Sequence, residues 1–198
     1  MPTCPLLLSH ARFLSIIPLV FESLGEMVSP VSNDRILDII SHGAAQTQRL
    51  GERLGELAHA GDVYALEGEL GSGKTCFVQG LGKGLKIPTA IHSPTFILAN
   101  EHRGGRLPLF HLDVYRVRGA DEAVGFGLED YLGDEGVCVI EWAEKIRAAL
   151  PPEHLWLAFR HLGESKRGIL IEATGARYQT LLNEFKKSAF GIADAISH

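Results

Sequence analysis

At 198 residues, with 45% hydrophobic and 22% charged positions, the chain has the make-up of a globular protein with its own core and none of the bias of a disordered or fibrous sequence. A net charge of −5 and a pI near 6.0 argue against an extended nucleic-acid-binding face. Three cysteines without a C-x-x-C and nine histidines without H-x-x-x-H spacing speak against a disulfide framework or a dedicated zinc site, and fit a reducing cytoplasm.

Residues 1–30 differ from the rest. Leu6–Leu8 and Phe13–Phe21 are apolar, but His10 and Arg12 separate them and Pro18 interrupts the second run. Neither is long enough to cross a bilayer, so no membrane association is expected, and no positive region precedes Leu6 as an export signal requires. Three readings stay open: a disordered or loosely docked extension, an over-extended start with Met27 as the initiator, or a weak targeting signal. Residues 31–198 are expected to form a single domain.

Ile36–Ile40 is β-prone, and Ser41 is placed to cap a following helix on which Leu50, Leu54, Leu57 and Ala58 share a face. Gly61-Asp62 turns into a strand over Asp62–Glu67, which runs straight into Gly68. After Thr75, Cys76–Leu85 reads as a helix with Phe77, Val78, Leu81 and Leu85 on its core side, stopped by Pro88. Ile97–Asn100 and Leu107–Leu112 flank Gly104-Gly105 as a hairpin or adjacent strands. Asp121–Gly127 and Leu128–Leu132 read as short helices. Val137–Ile140 is a strand buried on both faces, followed by a helix over Ala143–Ala149 that ends before Pro151-Pro152. Leu155–Arg160 and Gly168–Ala173 are a closing strand pair, and Tyr178–Phe190 a final amphipathic helix. This alternation implies an α/β sheet with helices on both faces. Ligands of such sheets sit at the carboxyl ends of the strands, the rim where Gly68, Asp113 and Glu141 all fall.

Gly68–Thr75 reads Gly-Glu-Leu-Gly-Ser-Gly-Lys-Thr and fits G-x-x-x-x-G-K-[ST] at every fixed position, between a strand and a helix. Glycines let such a backbone curl around an anion, so that successive N–H groups point at phosphate at the positive end of the helix. Lys74 supplies a point charge for the β and γ phosphates, and Thr75 a hydroxyl for Mg²⁺. The expected nucleotide-binding set is therefore Glu69, Leu70, Gly71, Ser72, Gly73, Lys74, Thr75 and Cys76, joined by Thr95 and Trp142.

An acidic partner is needed for Mg²⁺. Asp113 and Glu141 both follow strand-like runs; which serves the metal and which the attacking water stays open, so Lys74, Asp113 and Glu141 form the catalytic set and Thr75, Asp113 and Glu141 the metal set. Thr95, in Ser93-Pro94-Thr95, is a candidate γ-phosphate sensor. Arg116 reads as a surface ion-pair member before a phosphate contact, and Trp142 as core or interface before a base-stacking platform.

These blocks in this order, with Ser-Pro-Thr-Phe, His-Leu-Asp-Val-Tyr-Arg and Ile-Glu-Trp following the glycine loop, resemble the TsaE (YjeE) family, bacterial P-loop ATPases of tRNA threonylcarbamoyladenosine synthesis. The likeness covers roughly residues 36–175 and also takes in Gln46-Thr47, Gly127-Leu128 and Tyr131-Leu132. It implies a P-loop NTPase fold with a mostly parallel central sheet and some antiparallel strands. It further implies ATP hydrolysis to ADP with Mg²⁺, a cytoplasmic location, and action with TsaD and its paralogue TsaB. Those partners transfer a threonylcarbamoyl group to adenosine 37 of tRNAs reading ANN codons, and nucleotide turnover would reset their complex, with tRNA met indirectly through it. No arginine finger is evident in the chain, so unassisted hydrolysis is expected to be slow, as low as ~10⁻⁴ s⁻¹. A small-molecule kinase and an ATP-gated docking module without essential turnover are the alternatives.

Overall fold

A computed structural model describes residues 34–133 and 135–191; the expected extension over residues 1–30 lies outside them. The described chain builds one seven-stranded sheet. Its elements in order are β1 (Ile36–Ser41), α1 (Ala44–Leu57), β2 (Val63–Gly68), α2 (Lys74–Gly84), β3 (Ala99–His102), β4 (Leu109–Asp113), α3 (Ala120–Gly125), β5 (Val137–Glu141), β6 (His154–His161), β7 (Arg167–Thr174) and α4 (Ala176–Phe190). Two 3₁₀ segments, Leu128–Tyr131 and Ala143–Ala149, flank β5.

Across the sheet the strands run β1-β7-β6-β2-β5-β4-β3. The inner four, β6-β2-β5-β4, are parallel, and each edge is closed by antiparallel pairs, β7 and β1 on one side and β3 on the other. This is the expected mostly parallel sheet with antiparallel strands. β2 and β5 are buried on both faces, and period-two alternation splits their side chains between two cores. Tyr64, Leu66, Val137 and Val139 pack with α1, α2 and α4; Val63, Ala65, Cys138 and Ile140 pack with α3 and the 3₁₀ segments.

Local differences from the sequence reading have physical reasons. Ser41 stays in β1 and does not cap α1. Its hydroxyl bonds the carbonyl of Gly43 and the hydroxyl of Thr47, and Gly43 takes the cap position. α2 stops at Gly84, before Pro88, because Lys86 turns left-handed (φ 59°) while the Ile87 N–H closes on the Gly82 carbonyl. Ala143–Ala149 is 3₁₀ with a kink at Ile146 rather than α-helix.

The pairing of α1 with α2 rests on glycines. A methyl group on Gly51 would stand 2.2 Å from the Phe77 carbonyl oxygen, and one on Gly80 would stand 2.0 Å from that of Gln48. Gly55 and Gly84 repeat the contact one turn on, against Leu81 and Glu52. The two backbones touch directly, and the helix that begins at Lys74 is thereby seated on α1.

Candidate functional site

The parallel register brings the rim together. Leu66 of β2 and Asp113 of β4 both pair with Glu141 of β5, so the glycine loop leaving β2 and the two carboxylates stand on adjacent strand ends. A cavity of about 470 Å³ opens there, within the range of small-ligand sites. It is lined by the loop from Leu70 to Cys76 and, across from it, by Ser93, Thr95, Asp113, Tyr115, Glu141 and Trp142. Every residue expected from the sequence to hold nucleotide or metal is in this lining except Glu69, which contributes its carbonyl to Lys74 just behind it.

The loop has the shape that its glycines permit. Gly71 and Gly73 take φ of 75° and 106°, and Gly73 caps α2, whose first N–H groups have no intrahelical acceptor. Ser72 is buried in the loop and its Oγ has no partner. Lys74 is 4% exposed, and its Nζ donates to the carbonyls of Gly68 (2.5 Å) and Glu69 (3.0 Å) and sits 3.8 Å above the Trp142 ring. Burial lowers its pKa, against the opposing pull of Glu141, Glu144 and Asp113. Trp142 takes a left-handed backbone (φ 64°), and its ring packs tilted against Tyr115 with centroids 4.9 Å apart.

The two carboxylates have separate partners. Glu141, 3% exposed, accepts from the Thr75 hydroxyl on both oxygens (2.8 and 2.9 Å) and lies 2.9 Å from His111 Nε2. Asp113, 2% exposed, accepts from Ser93 Oγ (2.7 Å) and Thr95 Oγ1 (2.5 Å) on one oxygen and from the Tyr115 N–H on the other. Neither is ion-paired with Lys74. Thr75 Oγ1 and the Glu141 carboxylate present hard oxygens side by side, with Asp113 beside them, a donor set that suits Mg²⁺, which takes one or two carboxylates plus phosphate oxygens and water.

No arginine lines the cavity among the described residues. Arg116 lies outside it, 4.6 Å above the exposed Phe96 ring. Sequence reasoning passed over His111 and Tyr115 as site residues and did not weigh the Ser93 hydroxyl. The signal for His111 was available: Leu109, His111 and Asp113 alternate onto one face of β4, so a histidine two residues before the carboxylate shares its side of the sheet.

The strand order, the glycine loop at the end of a central strand and the facing carboxylates define an α/β protein of the P-loop type. A family model described as "Threonylcarbamoyl adenosine biosynthesis protein TsaE" matches residues 41–169, and the chain belongs to that family. It is 40% identical over 142 residues to the tRNA threonylcarbamoyladenosine biosynthesis protein TsaE of Bacillus subtilis, covering 72% of this chain and 89% of the relative. It is 46% identical over 123 residues to the protein of the same name in Nostoc sp., covering 60% and 75%. In three dimensions it is similar to the crystal structure of Bacillus subtilis YdiB, with a TM-score of 0.70 and 34% identity, covering 78% of this chain and 97% of that one. Among the described residues no helix is long and apolar enough to cross a membrane.

Proposed function

We propose that the protein binds ATP with Mg²⁺ in the rim cavity and hydrolyses it, and that this turnover serves threonylcarbamoyl modification of adenosine 37 in tRNAs reading ANN codons. The observation that carries the reading is the convergence of Lys74, Thr75, Asp113 and Glu141 on one cavity behind a glycine loop. The phosphates lie in the loop, held by its free N–H groups and by the buried, otherwise unpartnered Ser72 hydroxyl. Lys74 exchanges its carbonyl partners for phosphate oxygens, a short swing because Gly68 and Glu69 are in the same loop. Thr75 and Glu141 would hold the metal, which when bound would neutralise charge on the transferring phosphoryl group. Asp113, through its bonds to Ser93 and Thr95, ties the loop carrying Thr95 to the reacting end and orients water for in-line attack. The water oxygen bonds the γ-phosphorus as the bond to the β,γ-bridging oxygen breaks, the water proton leaves with the released phosphate, and ADP remains for exchange.

Among the described residues no arginine reaches this cavity, and in this reading partner docking sets the rate. The partners in this reading are the TsaB and TsaD proteins, whose complex is reset by each turnover, while tRNA is held through them; the location is the cytoplasm. Reconstitution tests it. The chain, both partners, tRNA, threonylcarbamoyl-adenylate and Mg-ATP are mixed, and phosphate release and modified tRNA per complex are counted. Multiple turnovers that stop with Lys74→Ala support the reading. Phosphate release at many turnovers per second by the isolated chain, unchanged by partners, would overturn the partner-gated part. Transfer of phosphate to a metabolite, rather than to water, would favour a kinase.

A further inference from the structure

His111 is completely buried in β4, yet it is not an ordinary core histidine. Its Nε2 has one hydrogen-bonding partner, Oε1 of Glu141 at 2.9 Å, and its Nδ1 has none. A leucine in its place would pack without leaving a buried ring nitrogen unpaired. The cost of that orphan nitrogen is tied to a single contact, and the contact is with the carboxylate that also holds Thr75.

Glu141 needs such a contact. Its side chain carries three rotatable bonds, and the Thr75 hydroxyl bridges both oxygens without fixing the carboxylate plane. Lys74 is close enough to feel its charge, and a carboxylate left loose beside a buried ammonium relaxes into an ion pair. Here Lys74 instead bonds two loop carbonyls, and Glu141 is anchored from the neighbouring strand.

We propose that His111 is a positioning residue: by donating from Nε2 it holds the Glu141 carboxylate on Thr75 and away from Lys74, leaving one group for the metal and the other for phosphate. The inference rests on the functional reading above, and it places a proton on His111 Nε2, the nitrogen that faces Glu141. The ring of His102 on β3 lies tilted against it, the two centroids 6.4 Å apart.

The test compares His111→Leu, which removes the donor, with His111→Gln, whose side-chain amide keeps an N–H at similar reach. Two measurements do not depend on hydrolysis. The first is nitrogen-resolved NMR of the histidine rings in the intact protein, where a proton on His111 Nε2 that shifts on Glu141→Gln is expected. The second is ADP affinity with and without Mg²⁺. His111→Leu should leave Mg-free ADP binding within about two-fold and reduce the Mg²⁺-dependent gain by about 10–100-fold, the usual range for a group that orients a metal ligand. His111→Gln should recover most of it. In the Glu141→Gln background, His111→Leu should add nothing to the loss. With partners present, kcat should fall in the leucine variant while KM for ATP holds.

A ring with no proton on Nε2, equal losses in the two variants, or additive losses with Glu141→Gln would each overturn the proposal. Wild-type protein that binds Mg-ADP but never hydrolyses ATP with its partners would sink the functional reading instead, and the NMR and Mg-ADP measurements would still decide the role of His111.

Discussion

The two ends of the central strands bury charge in opposite ways. At the amino end of β2, Asp62 is 2% exposed and fully engaged. Arg177 of α4 grips both its oxygens (3.0 and 2.7 Å), and the Tyr64 hydroxyl and the His59 N–H complete the set. Beside it the Val63 N–H donates to the Tyr178 hydroxyl, whose pKa is pushed up to about 12 by burial. At the carboxyl end, Lys74, Asp113 and Glu141 are buried just as deeply, but the cation bonds carbonyls and the carboxylates bond hydroxyls. A closed network holds the last helix to the sheet. An open one, with opposite charges near each other but unpaired, is a site arranged for a ligand that carries charge of its own.

That contrast breaks if the two ends respond alike to substitution. The largest expected effect is Asp113→Asn, which should lower partner-stimulated ATP hydrolysis by about a hundred-fold or more while moving the denaturation midpoint little. Asparagine keeps Oδ1 for the Tyr115 N–H, and its amide can bond the same hydroxyls. Gly80→Ala forces a methyl into the Gln48 carbonyl and should cost about 2–3 kcal/mol by chemical denaturation, with a loss of nucleotide affinity because α2 carries Lys74 and Thr75. Arg177→Leu should cost about 2–3 kcal/mol, less than the ~3–5 kcal/mol of breaking a fully buried pair because the arginine is 26% exposed, and should leave nucleotide affinity unchanged. Tyr178→Phe strands one buried N–H and should cost about 1–2 kcal/mol.

The smallest effect sharpens the comparison through pH. Glu144, beside the site, has a buried oxygen without a partner, and burial raises its pKa above 4.5, with Glu67 adding to the shift against its own backbone hydrogen bond, Lys74 and Lys145. A carboxyl raised in this way contributes fully to stability below pH 4.5 and loses that contribution as pH rises through the folded value. Glu144→Gln should therefore be slightly more stable than the parent at pH 7, and the two should converge as pH falls toward 4, measured by urea denaturation at both values.

Much of this was legible in the chain. The glycine loop, the apolar run Val137–Ile140 and the alternation of strands and helices predict the sheet, and the carboxyl-end rule alone places Asp113 and Glu141 on one rim. Partner choice was not legible, because it depends on register. The pairing of Asp113 with Glu141 across two strands leaves Thr75 facing Glu141, and Ser93 and Thr95 facing Asp113. Ser41 misled for a similar reason: its type suits a cap, but its hydroxyl is taken by Gly43 and Thr47 while it is still in the strand. The left-handed turn at Trp142 has no sequence signature, since that conformation is ordinarily left to glycine.

The glycine contact between α1 and α2 sets where this molecule can move. Two helices whose main chains touch have no side-chain layer through which to slide, so α1 and α2 pack as one unit over β2. Among the described residues, the opposite wall of the cavity, the Ser93–Leu98 segment and the Trp142 turn, has no such backbone-to-backbone seat. That wall carries Phe96 and Ile97, 82% and 64% exposed, so the side of the cavity without that seat is also the side that reaches the outer surface.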